Sequence, residues 1–282
     1  MKLTPTIAWC VLGLVIASIG LASAVRDTPA AQPPSASPSE GSVSTRVVML
    51  HGLGRSERAM RRMARRFESE GLSSQPVGYD STSQSLDEIV DQVDAAIVSC
   101  CAESGELHFV THSLGGIVLR AWVAREAPDR IGRVVMLSPP NHGSVLVDRL
   151  GGWAGVLGPT GRRLGTGADS APNALNELGP VNFDLGVIAG NRSFNPLSSW
   201  ILEGPDDGTV SVESAKLPGM RDFLVLPSSH SFMMYDREVA RQAVHFVRHG
   251  SFDPIALESE DRDAGNGDQA DEPLAEPDST SE

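Results

Sequence analysis

The sequence predicts an α/β fold: a mostly parallel central sheet with helices on both faces. Two observations carry this. Five short β-rich runs lack the polar alternation of a one-faced sheet, and segments with helical apolar spacing fall between them. The runs are Arg46–Leu50 (RVVML), Leu107–Thr111 (LHFVT), Arg133–Leu137 (RVVML), Leu185–Ala189 (LGVIA) and Phe223–Leu226 (FLVL). A strand that is apolar at every position is buried on both faces, as it is when crossover helices cover both sides of a parallel sheet.

The helices follow in order. Met60, Met63, Ala64 and Phe67 form a first stripe, flanked by the arginines of GRSERAMRRMARRF, which read as a solvated face. Leu86, Ile89, Val90, Val93 and Ile97 form a second, with Ser85 and Glu88 spaced as a capping box. Ile117, Val118, Ala121 and Trp122 form a third that ends before Pro128. Val239, Ala243, Phe246 and Val247 form the last, stopped by Gly250. Residues 142–182, rich in Gly, Pro and Asn, separate two strands by more than a compact crossover needs, and are expected to form a short cap-like insertion.

The ends differ from the middle. Thr6 to Val25 carries no charge, follows Lys2 and closes on Ala22-Ser23-Ala24, so residues 1–25 read as a signal peptide or an N-terminal membrane anchor. Either reading places the remainder outside the cytoplasm, secreted, periplasmic or anchored to the membrane by this segment. Residues 26–44 are a Pro/Ser-rich linker, 45–250 the folded domain, and 251–282 an acidic tail expected to be disordered. That tail holds eleven Asp or Glu against Arg262 alone, a net −10 of the chain's formal −13. The remaining domain is near neutral, which argues against nucleic acid as a partner. Of three cysteines, Cys10 lies in the leader and Cys100 and Cys101 are neighbours; a loop-closing disulfide between them is not expected.

The chemistry gathers at strand ends. Ser113 sits in VTHSLGGIVLR, where the second run gives way to the third helix, and Gly115 and Gly116 supply the small neighbours that a sharp strand-to-helix turn needs. Among seven histidines, His230 directly follows the strand FLVLP and precedes a helix, at the edge where Ser113 also lies. Asp206 and Asp207 in EGPDDGTVSVESA are the candidate acids. A serine hydroxyl needs a base to take its proton, and the imidazole needs a carboxylate to hold its tautomer.

Thr111-His112-Ser113-Leu114-Gly115 resembles the G-x-S-x-G nucleophile elbow of the alpha/beta-hydrolase family, with Thr111 in place of the first glycine. His51-Gly52-Leu53-Gly54 resembles the HG-x-G loop of its small bacterial lipases and esterases, and Asp207-Gly208-Thr209-Val210 resembles their D-G-x-V segment. By that resemblance the catalytic residues are Ser113, Asp207 and His230, in the family's chain order, with Asp206 as the alternative acid. The N–H groups of Leu53 and Leu114 would form the oxyanion hole, His51 would be structural, and His142 in the loop PPNHGS would line the site. The resemblance spans Val43 to Gly250 but lacks the first strands of the family fold.

The expected activity is hydrolysis of carboxylic esters through an acyl-enzyme, on an ester or lipid substrate. Leu53, Leu114, Val145, Leu146, Phe232, Met233 and Met234 flank the motifs as candidate acyl contacts, Val145 and Phe232 foremost with His142. Two alternatives share the residues: an acyltransferase, and a membrane-tethered binding protein without turnover. No cofactor or metal is expected. GLGRSE fails G-x-G-x-x-G at its last position, GPTGRRLGTG lacks the Lys-Ser/Thr ending of a phosphate loop, and His245 and His249 lack the Glu of H-E-x-x-H.

Overall fold

A computed structural model describes residues 45–102, 104–143, 159–160, 178–194, 201–202 and 204–254. All lie within one compact unit, Val43–Glu282. The leader, the linker up to residue 44, most of the insertion and the tail beyond Pro254 are outside the described residues. Among the described residues no helix is long and apolar enough to cross a membrane.

In chain order the elements are β1 (Arg46–Leu50), α1 (Arg61–Ser69), β2 (Ser73–Val77), α2 (Leu86–Cys101), β3 (Leu107–His112), α3 (Leu114–Glu126), β4 (Ile131–Leu137), β5 (Leu185–Gly190), the short α4 (Val212–Ala215), β6 (Asp222–Leu226) and α5 (Arg237–His249). The sheet runs β2-β1-β3-β4-β5-β6 and every pairing is parallel. All carboxyl ends therefore meet at one edge. The order also shows why the strands lack alternation. In β1, Val48 and Leu50 pack with α2 and α3 on one face, while Val47 and Met49 pack with α1 and α5 on the other. Each such side chain, taken fully out of water, contributes about 1.5–3 kcal/mol.

The helix boundaries follow local chemistry. Ser85 and Glu88 form the reciprocal capping box at the start of α2, and Gly250 (φ 77°) closes α5 in the left-handed conformation. Trp122 of α3 donates its indole N–H to Asp94 of α2 at 3.0 Å and lies 5.6 Å from the Phe109 ring. Of the arginines on α1, Arg61, Arg62 and Arg65 face solvent and Arg66 is half-buried.

Two features depart from the sequence expectation. Strand β2 (SSQPV) was not predicted, because it is polar and contains Pro76. It is an edge strand paired only with β1, so its face is half-covered and a proline can be accommodated on the unpaired side. Cys100 and Cys101 are joined by a disulfide at the end of α2. The expectation rested on loop closure; a bond between sequence neighbours closes no loop and needs no distant segment to approach.

Candidate active site

Ser113 lies between β3 and α3 with φ 53° and ψ −123°, a conformation that non-glycine residues rarely adopt. Its surroundings hold it there. The Ser113 N–H donates to the Leu137 carbonyl at 2.9 Å, and the Gly116 N–H donates to the Ser113 carbonyl at 2.9 Å. A Cβ on Gly115 would stand 2.6 Å from the Leu50 carbonyl oxygen, so α3 begins in van der Waals contact with the end of β1. A Cβ on Gly52 would lie 3.1 Å from that of Ser113, which sets the His51–Gly54 loop against this serine. Thr111, fully buried where the family motif has glycine, is accommodated because Gly116 faces its hydroxyl without a side chain.

Ser113, His230 and Asp207 come together from the ends of three segments. His230 Nε2 lies 3.0 Å from Ser113 Oγ, and His230 Nδ1 lies 2.7 Å from Asp207 Oδ2. A carboxylate accepts, so Nδ1 carries the proton and Nε2 is left to accept from the serine. The other carboxylate oxygen of Asp207 accepts from the N–H groups of Thr209 (3.0 Å) and Val210 (2.8 Å). Burial pushes this carboxyl upward, but His230, the Val210 amide and the Ser138 hydroxyl outweigh it and hold Asp207 below the ordinary carboxylate range. The backbone closes the same relay, with the His230 N–H donating to the Asp207 carbonyl at 3.0 Å.

Asp206, the alternative acid, points elsewhere: Oδ1 accepts from the Gly208 N–H at 2.7 Å and shapes the turn. Leu114 is the first residue of α3 and fully buried, and Leu53 is half-buried against the same core. His142 is exposed, its N–H donating to the Ser214 carbonyl at 3.3 Å. Phe232, two residues past His230, is 60% exposed, whereas Met233 and Met234 are buried in the core shared with α1 and α5. Val145 and Leu146 fall outside the described residues.

Two residues at the site gave no sequence signal. Ser138, fully buried at the end of β4 with φ 41°, donates to Asp207 while its oxygen accepts from the Gly190 N–H at 3.1 Å. His112 precedes the serine, and its Nε2–H donates to the His230 carbonyl at 2.9 Å, with ring centroids 4.9 Å apart. Burial, reinforced by the nearby His230, holds His112 well below the ordinary histidine pKa. Their partners lie far away in sequence, so no local pattern marks them.

The sequence model of the palmitoyl protein thioesterase family matches residues 46–167, a span that contains the His51–Gly54 loop and Ser113 and ends before Asp207 and His230. No curated protein matches the sequence. Among solved structures the chain is similar to phospholipase PlaB from Legionella pneumophila, at TM-score 0.57 and 21% identity over 72% of this chain. It spans 57% of that phospholipase. It is also similar to the mature Bacillus licheniformis lipase BlEst2, at TM-score 0.54 and 20% identity, covering 72% of this chain and 90% of that one. A metagenomic carboxyl esterase aligns at TM-score 0.55 and 15% identity, covering 86% and 82%. At such identities the likeness is one of fold.

Proposed function

The chain belongs to the alpha/beta-hydrolases by fold, and from that premise we propose that it is a serine hydrolase of carboxylic esters acting through an acyl-enzyme. One observation carries the reading: the hydrogen-bonded relay from Asp207 through His230 to a serine held at φ 53° on the strand-to-helix corner. Ser113 Oγ attacks the ester carbonyl as its proton passes to His230 Nε2, and the carbonyl π pair moves onto oxygen. The N–H groups of Leu53 and Leu114 are assigned to that oxyanion; such donors contribute a few kcal/mol each in a dry site, by about 10²–10³ in rate. Collapse expels the alcohol, which takes the proton from His230. A water then gives a proton to the same nitrogen, attacks the acyl carbon, and the acid leaves as Ser113 is re-protonated.

The substrate class is an ester or lipid with an apolar acyl group. The match to the thioesterase family favours a second reading at the same site, a long-chain acyl thioester, in which the departing group is a thiolate. The apolar leader supports export, with the domain free or held at a membrane by that segment.

The test is turnover of nitrophenyl esters and matched acyl thioesters over a series of chain lengths, by wild type and Ser113→Ala. Turnover that Ser113→Ala abolishes supports the reading, and full turnover in Ser113→Ala defeats it. Labelling by a fluorophosphonate without any turnover would instead favour an acyltransferase, which added alcohol acceptors would reveal.

A further inference from the structure

The loop beside the nucleophile is held by a side chain that its own motif does not contain. His51 is fully buried, and its ring stacks on Tyr79, centroids 4.0 Å apart and planes within 15°. The contacts fix its protonation state. His51 Nδ1 lies 2.9 Å from the Gly52 carbonyl oxygen and must donate, while Nε2 lies 3.4 Å from the Tyr79 N–H and must accept. Only the neutral imidazole with its proton on Nδ1 does both, and burial, which lowers the His51 pKa, favours it. The Tyr79 hydroxyl in turn donates to the His51 carbonyl. Two residues past Tyr79, Ser81 Oγ accepts from the Gly54 N–H at 2.9 Å. The loop after the edge strand β2 therefore grips the His51–Gly54 segment at both ends.

The carbonyl that His51 holds belongs to the Gly52–Leu53 peptide. A trans peptide is planar, and its C=O and N–H point in opposite directions, so fixing the Gly52 oxygen also fixes the Leu53 N–H. The Arg55 N–H reaches the same oxygen at 3.3 Å, which leaves the peptide little freedom to rotate. We infer that Tyr79 and His51 are positioning residues that aim the Leu53 N–H at the developing oxyanion. The inference rests on the proposed oxyanion role of Leu53 and extends it: the rate is set partly by a tyrosine that touches no reacting atom. A donor fixed in advance of the reaction loses no free energy to reorientation, and small errors of aim weaken it.

The experiment uses the full chain and three substitutions at His51 and Tyr79, with Ser81→Ala and Ser113→Ala beside them. Tyr79→Phe keeps the ring stack and removes only the hydroxyl; His51→Phe keeps a stacked ring and removes the donor to Gly52; His51→Asn restores a donor near the Nδ1 position. Expected losses in kcat are about 10-fold for Tyr79→Phe and about 100-fold for His51→Phe, with His51→Asn retaining more activity than His51→Phe and KM changing less than about 2-fold throughout. Affinity for an alkyl trifluoromethyl ketone, which Ser113 converts to a tetrahedral adduct bearing an oxyanion, should fall in parallel with kcat. Lost thermal stability alone would not produce that parallel. Ser81→Ala loosens the other end of the loop should Tyr79→Phe not fold, and is expected to lower kcat and ketone affinity together. Wild-type kcat in Tyr79→Phe and His51→Phe, with Ser113→Ala inactive, overturns the positioning role and leaves the hydrolase reading standing. Full turnover in Ser113→Ala removes the hydrolase reading and this inference with it.

Discussion

The corner that carries Ser113 is set by close packing and two backbone hydrogen bonds, whereas Asp207 and His230 are held by directed hydrogen bonds to a carboxylate and a carbonyl. At the first, the packing is tight enough to admit only glycine: Gly115 lies against the Leu50 carbonyl, Gly52 against the His112 ring and Ser113 Cβ, with a serine at φ 53° between them. At the second, three donors besides His230 converge on the Asp207 carboxylate, from Thr209, Val210 and Ser138, and His112 holds the carbonyl of His230. The roles proposed for these residues give the division a chemical reason. A nucleophile needs a fixed position and a free lone pair, which close packing provides without occupying its oxygen. An acid and base need defined protonation states, which only directed donors and acceptors can set.

The largest effect is expected where the second corner does its electrostatic work. Asp207→Asn preserves size, but an amide cannot balance the imidazolium and can present the wrong partner to Nδ1. A loss of about 10⁴-fold in kcat is expected, about 5.5 kcal/mol of barrier, with the fold intact. Near-wild-type ester turnover in this variant would show that the relay seen here is not the working one. The first corner should fail differently. In Gly115→Ala the new methyl meets the Leu50 carbonyl oxygen at 2.6 Å, and neither backbone can retreat without moving a sheet strand or the start of α3. A stability loss of about 2–3 kcal/mol is expected, read as a lower urea midpoint, and an unchanged midpoint would mean the corner is looser than its contacts indicate.

The same division explains what was legible in the sequence. The strands, the helical stripes and the capping box at Ser85 are local patterns, and Ser113 and His230 stand at the ends of such patterns, where a parallel sheet gathers its loops; Asp207 was singled out from Asp206 by its likeness to a family segment alone. Strand β2 was hidden because an edge strand has one ladder and a partly exposed face, so SSQPV lacks the apolar run that revealed its neighbours. Ser138, His112 and Tyr79 act only through residues far along the chain. The His112 contact with His230 joins positions 118 residues apart, and nothing near His112 announces it. The disulfide between Cys100 and Cys101 was missed for a different reason, because loop closure was the wrong criterion for adjacent residues.

Acid should act on the second corner through His112. Its pKa is held well below 6.5, so as pH falls from 6.5 the unfolded chain takes the proton before the folded one does. The stability that the neutral ring contributes is therefore complete above 6.5 and is lost as pH falls toward the depressed folded value, by at most about 1.4 kcal/mol per pH unit. His112→Gln places an amide nitrogen near Nε2, able to donate to the His230 carbonyl, and has no proton to gain. Between about pH 7.5 and about pH 5.5 its urea midpoint should fall less than that of the wild type. Equal acid sensitivity in the two proteins would assign the loss to other groups.

The smallest effect belongs to the residue next to the proposed acid, and it sharpens the comparison most. Asp206 and Asp207 are adjacent and both buried, yet a single peptide step turns them to different tasks: Asp207 toward His230, and Asp206 back onto the Gly208 N–H at 2.7 Å. Asp206→Asn retains an oxygen for that N–H and leaves the imidazole its carboxylate. The expected cost is about 1 kcal/mol of stability and less than about 10-fold in kcat, roughly three orders of magnitude milder than Asp207→Asn. Paired kcat measurements on the two variants decide the point. Equal losses would mean that the whole turn acts as one electrostatic unit, and that the hydrogen bond to Nδ1 is no guide to which carboxylate supports the base.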